Sequence, residues 1–195
     1  MNAGQAAGIN FNEQFAGLEA AEQLLRSEDT PIHVALLAQL VYALQDEKEF
    51  VLRRKVSLIL QVYLQEVAAV RPDAAKVFVS YTWAPLRSLI KTAPAPVREE
   101  VLAIMGVAIT TVADHAEQLR NMRPLMAAAD EDEDGDDGTI LSNMYHFKAD
   151  KRMAATRLLC KAILADTFSA TTLSQILIPL LTRLLIETPP GPRTH

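Results

Sequence analysis

The stretch FVLRRKVSLILQVYLQEVAAV, residues 50–70, repeats apolar residues at every third or fourth position. That spacing places the apolar side chains on one face of an α-helix and predicts a helix over the whole stretch. The side chains expected on the core side of this helix are Val51, Val56, Ile59, Leu60, Tyr63, Leu64 and Val67.

The same helical spacing continues on both sides of this stretch. Thr30 and Pro31 indicate the start of one helix, because proline fits the first helical position, where its missing N–H is not needed. Residues 97–120 predict one long helix, and Pro85 predicts a kink inside another. No stretch shows a sustained alternation of apolar and polar residues, so the sequence predicts an all-α fold.

Three of the predicted helices begin with a similar basic pattern. The patterns read FVLR at 50–53, PVR at 96–98 and DKR at 150–152, and their arginines are 45 and 54 residues apart. The second spacing exceeds the first by the length of the acidic stretch 130–138, and the remaining period lies within the 40–47 residues of HEAT and armadillo repeats. IKTAPAP at 90–96 also returns as IETPPGP at 186–192. We therefore expect an α-solenoid of HEAT-like helix pairs with a period of about 45 residues and an inserted acidic loop; the alternative is an irregular helical bundle.

The 195 residues suit one domain or a short run of repeats. We expect a flexible N-terminus over 1–10, the solenoid over 11–188, a disordered acidic loop at 129–138 within it, and a tail over 189–195. The last predicted helix has no second helix after it, so we expect a truncated repeat belonging to a longer solenoid.

The net charge of −5 is concentrated in one place, since seven acidic residues lie between positions 130 and 137. This argues against a uniformly basic nucleic-acid surface but leaves room for a basic patch. Cations near the starts of the second helices are candidates for contacts with phosphates or an acidic peptide, and the alternative is a set of solvated helix ends. The candidate residues are Arg53, Arg54, Lys55, Arg98, Lys148, Lys151, Arg152, Arg157 and Lys161.

The sequence offers little for catalysis. It contains no P-loop or nucleophile-elbow pattern, and the acidic stretch lacks the ligand spacing of an EF-hand. Cys160 is the single cysteine and is expected to be a small core residue. We expect no enzymatic activity, no metal, no cofactor and no small-molecule substrate. No run of about 20 apolar residues occurs, so we expect no membrane span.

Residues 119–187 resemble one HEAT-repeat family. The segments that carry the resemblance are RPLM at 123–126, the acidic stretch, ILSNMYHFK at 140–148, Lys151-Arg152, Ala155, Leu158-Leu159, and Thr172-Leu173 followed by Pro179-Leu180. Together they resemble the large HEAT-repeat protein of the small-subunit processome, the down-regulated-in-metastasis family. The resemblance implies a nucleolar scaffold in ribosome biogenesis, with other proteins of a large assembly and the ribosomal RNA precursor as partners.

Two other classes of helical scaffold fit the repeat pattern. One is the regulatory scaffold of a protein phosphatase, which holds a catalytic subunit by its turn residues. The other is a karyopherin-type transport receptor, in which an acidic loop contacts cargo or a small GTPase. Without the resemblance, the expected location would be the cytoplasm.

Overall fold

The computed structural model describes residues 3–27, 30–46, 48–128, 138–146 and 148–187. These residues contain no β-strand, and their β-type pairing is an isolated antiparallel bridge between Ala128 and Thr139. The all-α prediction is therefore confirmed for the described residues. None of their helices combines the length and the apolar character that a membrane span needs.

Four helices form the first half of the fold. They are α1 (Ala3–Leu25), α2 (Thr30–Ala43), α3 (Phe50–Val62), which continues as a π-helical segment (Tyr63–Ala68), and α4 (Pro72–Val77). Helix α1 begins within residues 1–10, the segment that we expected to be a flexible N-terminus. On α3, Val51 is 53% exposed and Leu52 is buried instead, so the predicted core face is displaced by one residue at the start of this helix.

The second half combines helices of 10–17 residues with shorter elements. A π-helical segment (Phe78–Thr82) joins α4 to α5 (Trp83–Thr92), and α6 (Ala95–Thr111) follows. The later elements are a 3-10 turn (Ala113–His115), α7 (Glu117–Arg120), a second 3-10 turn (Arg123–Met126), α8 (Ile140–Asn143), α9 (Ala149–Leu164), α10 (Ala170–Thr172), a π-helical segment (Leu173–Leu177) and α11 (Ile178–Glu187).

The long helix predicted over residues 97–120 is wrong, because α6 ends at Thr111. Four β-branched residues, Ile109 to Val112, stand in a row at this end, and such residues lose side-chain freedom in a helix. The hydroxyls of Thr110 and Thr111 also donate to the carbonyl of Val107, at 2.9 and 2.7 Å. These bonds compete with the regular backbone ladder, which accounts for the helix ending here.

Both interior prolines follow a π-helical segment. A proline at position i clashes with the carbonyl of residue i−4, which is Tyr81 for Pro85 and Gln175 for Pro179. Those two carbonyls lie in the π-helical segments Phe78–Thr82 and Leu173–Leu177, where the wider turn accommodates the ring. The irregularity expected at Pro85 is therefore a π-helical segment.

The core is one continuous cluster that draws on most of the helices. Helix α2 packs against α3, α4 and the Phe78–Thr82 segment; α3 packs against α6; α5 packs against α6 and α11; and α8 packs against α6 and α9. Trp83, Tyr63 and Phe78 are among the largest fully buried side chains. Each fully buried large apolar side chain contributes roughly 1.5–3 kcal/mol, so apolar burial is the main stabilising term.

The predicted acidic loop and tail lie mostly outside the residues that the structure describes. Residues 129–137 and 188–195 are not among the described residues. The description resumes at Gly138, and the Thr139 hydroxyl accepts a hydrogen bond from the backbone N–H of Ser142 at the start of α8.

A candidate interaction groove between two helices

Three of the predicted arginines hold inter-helix turns. Each is the fourth residue of its helix, and each donates from Nη1 to a backbone carbonyl in the turn before that helix. The bonds run from Arg53 of α3 to Asp46 at 2.8 Å, from Arg98 of α6 to Ala93 at 2.8 Å, and from Arg152 of α9 to His146 at 2.7 Å.

Three of the nine cations that we predicted to contact a phosphate or an acidic peptide are buried. Arg53, Arg98 and Lys151 are buried, with at most 3% of each residue exposed. Their charged groups cannot reach a phosphate on another molecule, so these three residues do not form a binding surface. Arg53 also stacks over the ring of Phe50, with 5.5 Å between its guanidinium carbon and the ring centroid.

Arg98 connects α6 to the C-terminal helices. Its guanidinium carbon lies 5.4 Å from the centroid of the Tyr145 ring, within the range of a cation–π contact. The Tyr145 hydroxyl donates to the carbonyl of Leu180 on α11 at 3.0 Å. Arg183 donates to the carbonyl of Lys91 in the last turn of α5, where a cation is favoured by the helix dipole. These polar contacts fix α11 in the fold.

Arg54 and Lys55 are paired with carboxylates. Arg54 contacts the buried Glu100 at 2.9 Å, and Lys55 contacts Glu22 on α1 at 2.6 Å. The hydrogen bond from Lys55 is the main cause of a lowered Glu22 pKa, which desolvation of the carboxyl opposes. The triplet at 53–55 is therefore divided among intramolecular partners and does not form a basic patch.

Three of the four remaining cations line a groove between α9 and α11. Arg152, Arg157 and Lys161 line this groove, whereas Lys148 is exposed just before α9 and is not among the lining residues. The volume of the groove is about 800 Å³. We call it the α9–α11 groove; its lining consists of Met144, Arg152, Met153, Thr156, Arg157, Cys160, Lys161, Leu164, Leu181, Leu184 and Leu185.

Cys160 lies in this groove, so the prediction of a core cysteine is wrong. The apolar neighbour Leu159 is buried, but consecutive helical residues point about 100° apart. The core side of α9 is occupied by Ala155 and Leu159, four positions apart, and this places Cys160 on the outer side.

Large apolar side chains are exposed around the groove. Leu164 at the end of α9 is 88% exposed, and Leu185 on α11 is 83% exposed. Met153, which also lines the groove, is 51% exposed, whereas the exposed Ile178 and Ile186 of α11 are not among the lining residues. A cluster of exposed apolar residues of this kind is typical of an interaction site, and neither the helical spacing nor the charge pattern predicted it.

A second groove between α6 and α8 has no comparable chemistry. It measures about 630 Å³, and its lining includes Glu99, Thr110, Ser142 and His146. The Thr110 and Ser142 hydroxyls donate to backbone carbonyls nearby in sequence, so neither is paired with a general base. Among the described residues, no group of three or more His, Cys, Asp or Glu side chains could hold a metal ion.

The chain matches no model of a known protein family, no curated protein and no solved structure.

Proposed function

We propose that this protein is a non-catalytic, HEAT-like helical scaffold that binds another protein in the α9–α11 groove. The observation that carries this proposal is the combination of nearly fully exposed Leu164 and Leu185 with three cations in one groove. Protein-binding sites combine apolar and charged side chains in this way. The leucines become buried against the partner and stabilise the complex, and the charges select a partner of complementary charge.

The packing order supports a HEAT-like arrangement. Helix α2 contacts the α4–α5 unit, which contacts α11, while α3 contacts α6 alongside them. These contacts form two rows of helices, one with α2, α4–α5 and α11 and the other with α3 and α6. Two such rows are expected of a solenoid, in which each helix pair packs on its neighbours.

Two recurrences support the repeat. The bond from an arginine to the preceding turn occurs at the fourth residue of α3, α6 and α9. A π-helical segment followed by proline occurs in both the α4–α5 and the α10–α11 units, with prolines 94 residues apart. Equivalent irregularities at equivalent places are expected of related repeats.

For the assembly in which the scaffold works, we propose the small-subunit processome of the nucleolus. This part rests on the resemblance of residues 119–187, which include the turn held by Arg152 and His146. The two other scaffold classes, phosphatase and transport receptor, are distinguished by the experiment below.

Affinity purification of the full chain from cells tests both parts of the proposal. We expect processome proteins and ribosomal RNA precursor with the unaltered chain, and their loss with a Leu164→Asp/Leu185→Asp variant. The matched control is Val70→Asp/Tyr81→Asp, which alters two exposed apolar residues that do not line the groove; it should retain the partners.

The same purification has outcomes that contradict the proposal. Recovery of a phosphatase catalytic subunit or of nuclear-pore components in place of processome proteins would contradict the proposed assembly. Retention of every partner by the Leu164→Asp/Leu185→Asp variant would contradict the α9–α11 groove as the binding site.

A further inference from the structure

We infer that the occupant of the α9–α11 groove is an amphipathic α-helix of a partner protein, with acidic residues beside its apolar face. This inference rests on the proposed function and specifies the chemistry of the partner.

The walls of the groove favour a helix as the occupant. Met153, Cys160 and Leu164 follow the helical spacing of α9, and Leu181, Leu184 and Leu185 follow that of α11. Two such stripes match the apolar face of a third helix, which inserts side chains at i, i+3, i+4 and i+7. The backbone hydrogen bonds of both walls are used within their own helices, so the walls offer no edge to which a strand could be added.

The charge around the groove favours acidic residues on that helix. Arg157 and Lys161 are exposed and four positions apart on α9, and none of the described lining residues is acidic. In the part of the chain that the structure describes, neither cation forms an ion pair; the contact found for Arg157 is with the Met153 sulfur at 3.4 Å. Asp150, the acid in the first turn of α9, is not among the lining residues.

The lining favours protein over nucleic acid. Recognition of single-stranded RNA relies mainly on aromatic side chains on which bases stack, and no aromatic side chain is among the described lining residues. Leu164, Leu181, Leu184 and Leu185 supply an apolar surface, which a phosphate backbone would leave without favourable contacts.

The length of the groove sets the size of the occupant. The 16 residues of α9 extend about 24 Å at the usual rise of an α-helix. The exposed stripe from Met153 to Leu164 occupies about 17 Å of this length, so a partner helix of at least three turns would cover it.

Cys160 provides a direct reporter of occupancy, because it is the single cysteine of the chain and is exposed in the groove. The probe is a synthetic 16-residue amphipathic helix with leucine on its apolar face and glutamate on both flanks. The control peptide has lysine in place of every glutamate. The measurement is the rate at which Cys160 of the full chain reacts with a thiol reagent as each peptide is titrated.

We expect the glutamate peptide to slow the reaction at least tenfold at saturation, and to bind at least tenfold more tightly than the lysine peptide. Its affinity should fall with added salt, since screening weakens exposed charge pairs. Arg157→Gln/Lys161→Gln should weaken its binding about five- to tenfold. Lys76→Gln/Arg120→Gln, which removes two exposed cations outside the groove lining, should not.

The other outcomes separate this inference from the proposed function. Equal protection by both peptides would overturn the acidic partner while leaving a protein-binding groove in place. Protection by an RNA oligonucleotide with none by the glutamate peptide would overturn the helical protein partner. An absence of protection by either peptide would overturn the inference, whereas the purification experiment tests the scaffold independently.

Discussion

At the scale of single residues, Arg98 is a buried charged side chain whose loss we expect to destabilise the fold strongly. It is fully buried, donates to the carbonyl of Ala93 and packs over Tyr145. Arg98→Ala removes a charged hydrogen bond, leaves a buried carbonyl without this donor and opens a cavity. We expect a loss of about 2–4 kcal/mol in the free energy of unfolding, measured by urea denaturation.

Arg157→Ala is the matched control for this prediction, because Arg157 is exposed and contacts Met153. Its effect should stay within about 0.5 kcal/mol. A loss of the same size in both variants would contradict the structural role that burial assigns to Arg98.

The pair between Glu22 and Lys55 makes stability depend on pH at the acidic end. The folded-state pKa of Glu22 lies below its ordinary value of 4.5, mainly because of the Lys55 hydrogen bond. The pair therefore stabilises the fold above pH 4.5, and this contribution disappears as the pH falls through the folded-state pKa. Both side chains are about a quarter exposed, so solvent screening keeps the contribution within about 1 kcal/mol.

Glu22→Gln tests this dependence. The variant should be less stable than the unaltered chain at pH 7, and the difference should shrink as the pH falls below 4.5, as measured by denaturant unfolding at each pH. In a Lys55→Gln background the same substitution should have a smaller effect at pH 7. A constant difference between pH 7 and pH 3 would argue against this pair.

The roles of three arginines and the position of Cys160 could not be predicted from the sequence. The pattern around Arg53, Arg98 and Arg152 indicated that each lies near the start of a helix, which the structure bears out, but not what the side chains do there. Whether such an arginine turns back to a carbonyl or faces solvent depends on the conformation of the preceding turn, which residue types do not specify. Residue types likewise did not place Cys160 on the outer side of α9, since its neighbours in sequence are apolar.

At the scale of helices, α6 contains an avoidable destabilising residue. Gly106 lies in its interior, and a Cβ there would meet the Met126 side chain at 3.6 Å, an ordinary van der Waals distance. Alanine in place of glycine removes backbone freedom from the unfolded chain without a clash. We expect Gly106→Ala to raise the free energy of unfolding by about 0.5–1 kcal/mol, measured by urea denaturation.

The reverse substitution on the same helix is the control. Ala103 is exposed in the interior of α6, and Ala103→Gly should lower the free energy of unfolding by a similar amount. If Gly106→Ala destabilised the protein instead, the space beside Met126 would be smaller than the structure indicates.

Helical periodicity predicted where most helices lie, because an apolar stripe and a proline or threonine at the start act locally. Helix α2 begins at Thr30 and α3 begins at Phe50, as the pattern indicated. The end of α6 was missed, since the row of β-branched residues from Ile109 to Val112 interrupts the helix without breaking its apolar spacing. The α9–α11 groove was missed as well, because it exists only where two helices meet.

At the scale of the whole molecule, burial is unevenly distributed along the chain. On α3 the buried residues include Val56, Ile59 and Leu60, and α6 is buried along most of its length. On α9 the buried residues are Lys151, Ala155 and Leu159. Regions with fewer buried apolar contacts open locally at lower free energy, so the helices that form the groove should be the less stable part.

Hydrogen exchange measures this difference directly. Backbone amides of α3 and α6 should exchange on the order of 100-fold more slowly than those of α9 and α11.

Ser169→Ala should widen this difference in exchange rate, because the Ser169 hydroxyl accepts a hydrogen bond from the Thr172 N–H at 3.1 Å and caps α10. Loss of such a cap costs about 1 kcal/mol, and in a chain of stacked helix pairs that cost falls mainly on the nearest neighbours. Exchange should therefore accelerate in α10 and α11 and remain unchanged in α3. Equal acceleration in α3, α6, α9 and α11 would mean that the chain opens as one cooperative unit, and would contradict the stacked arrangement on which the proposed scaffold depends.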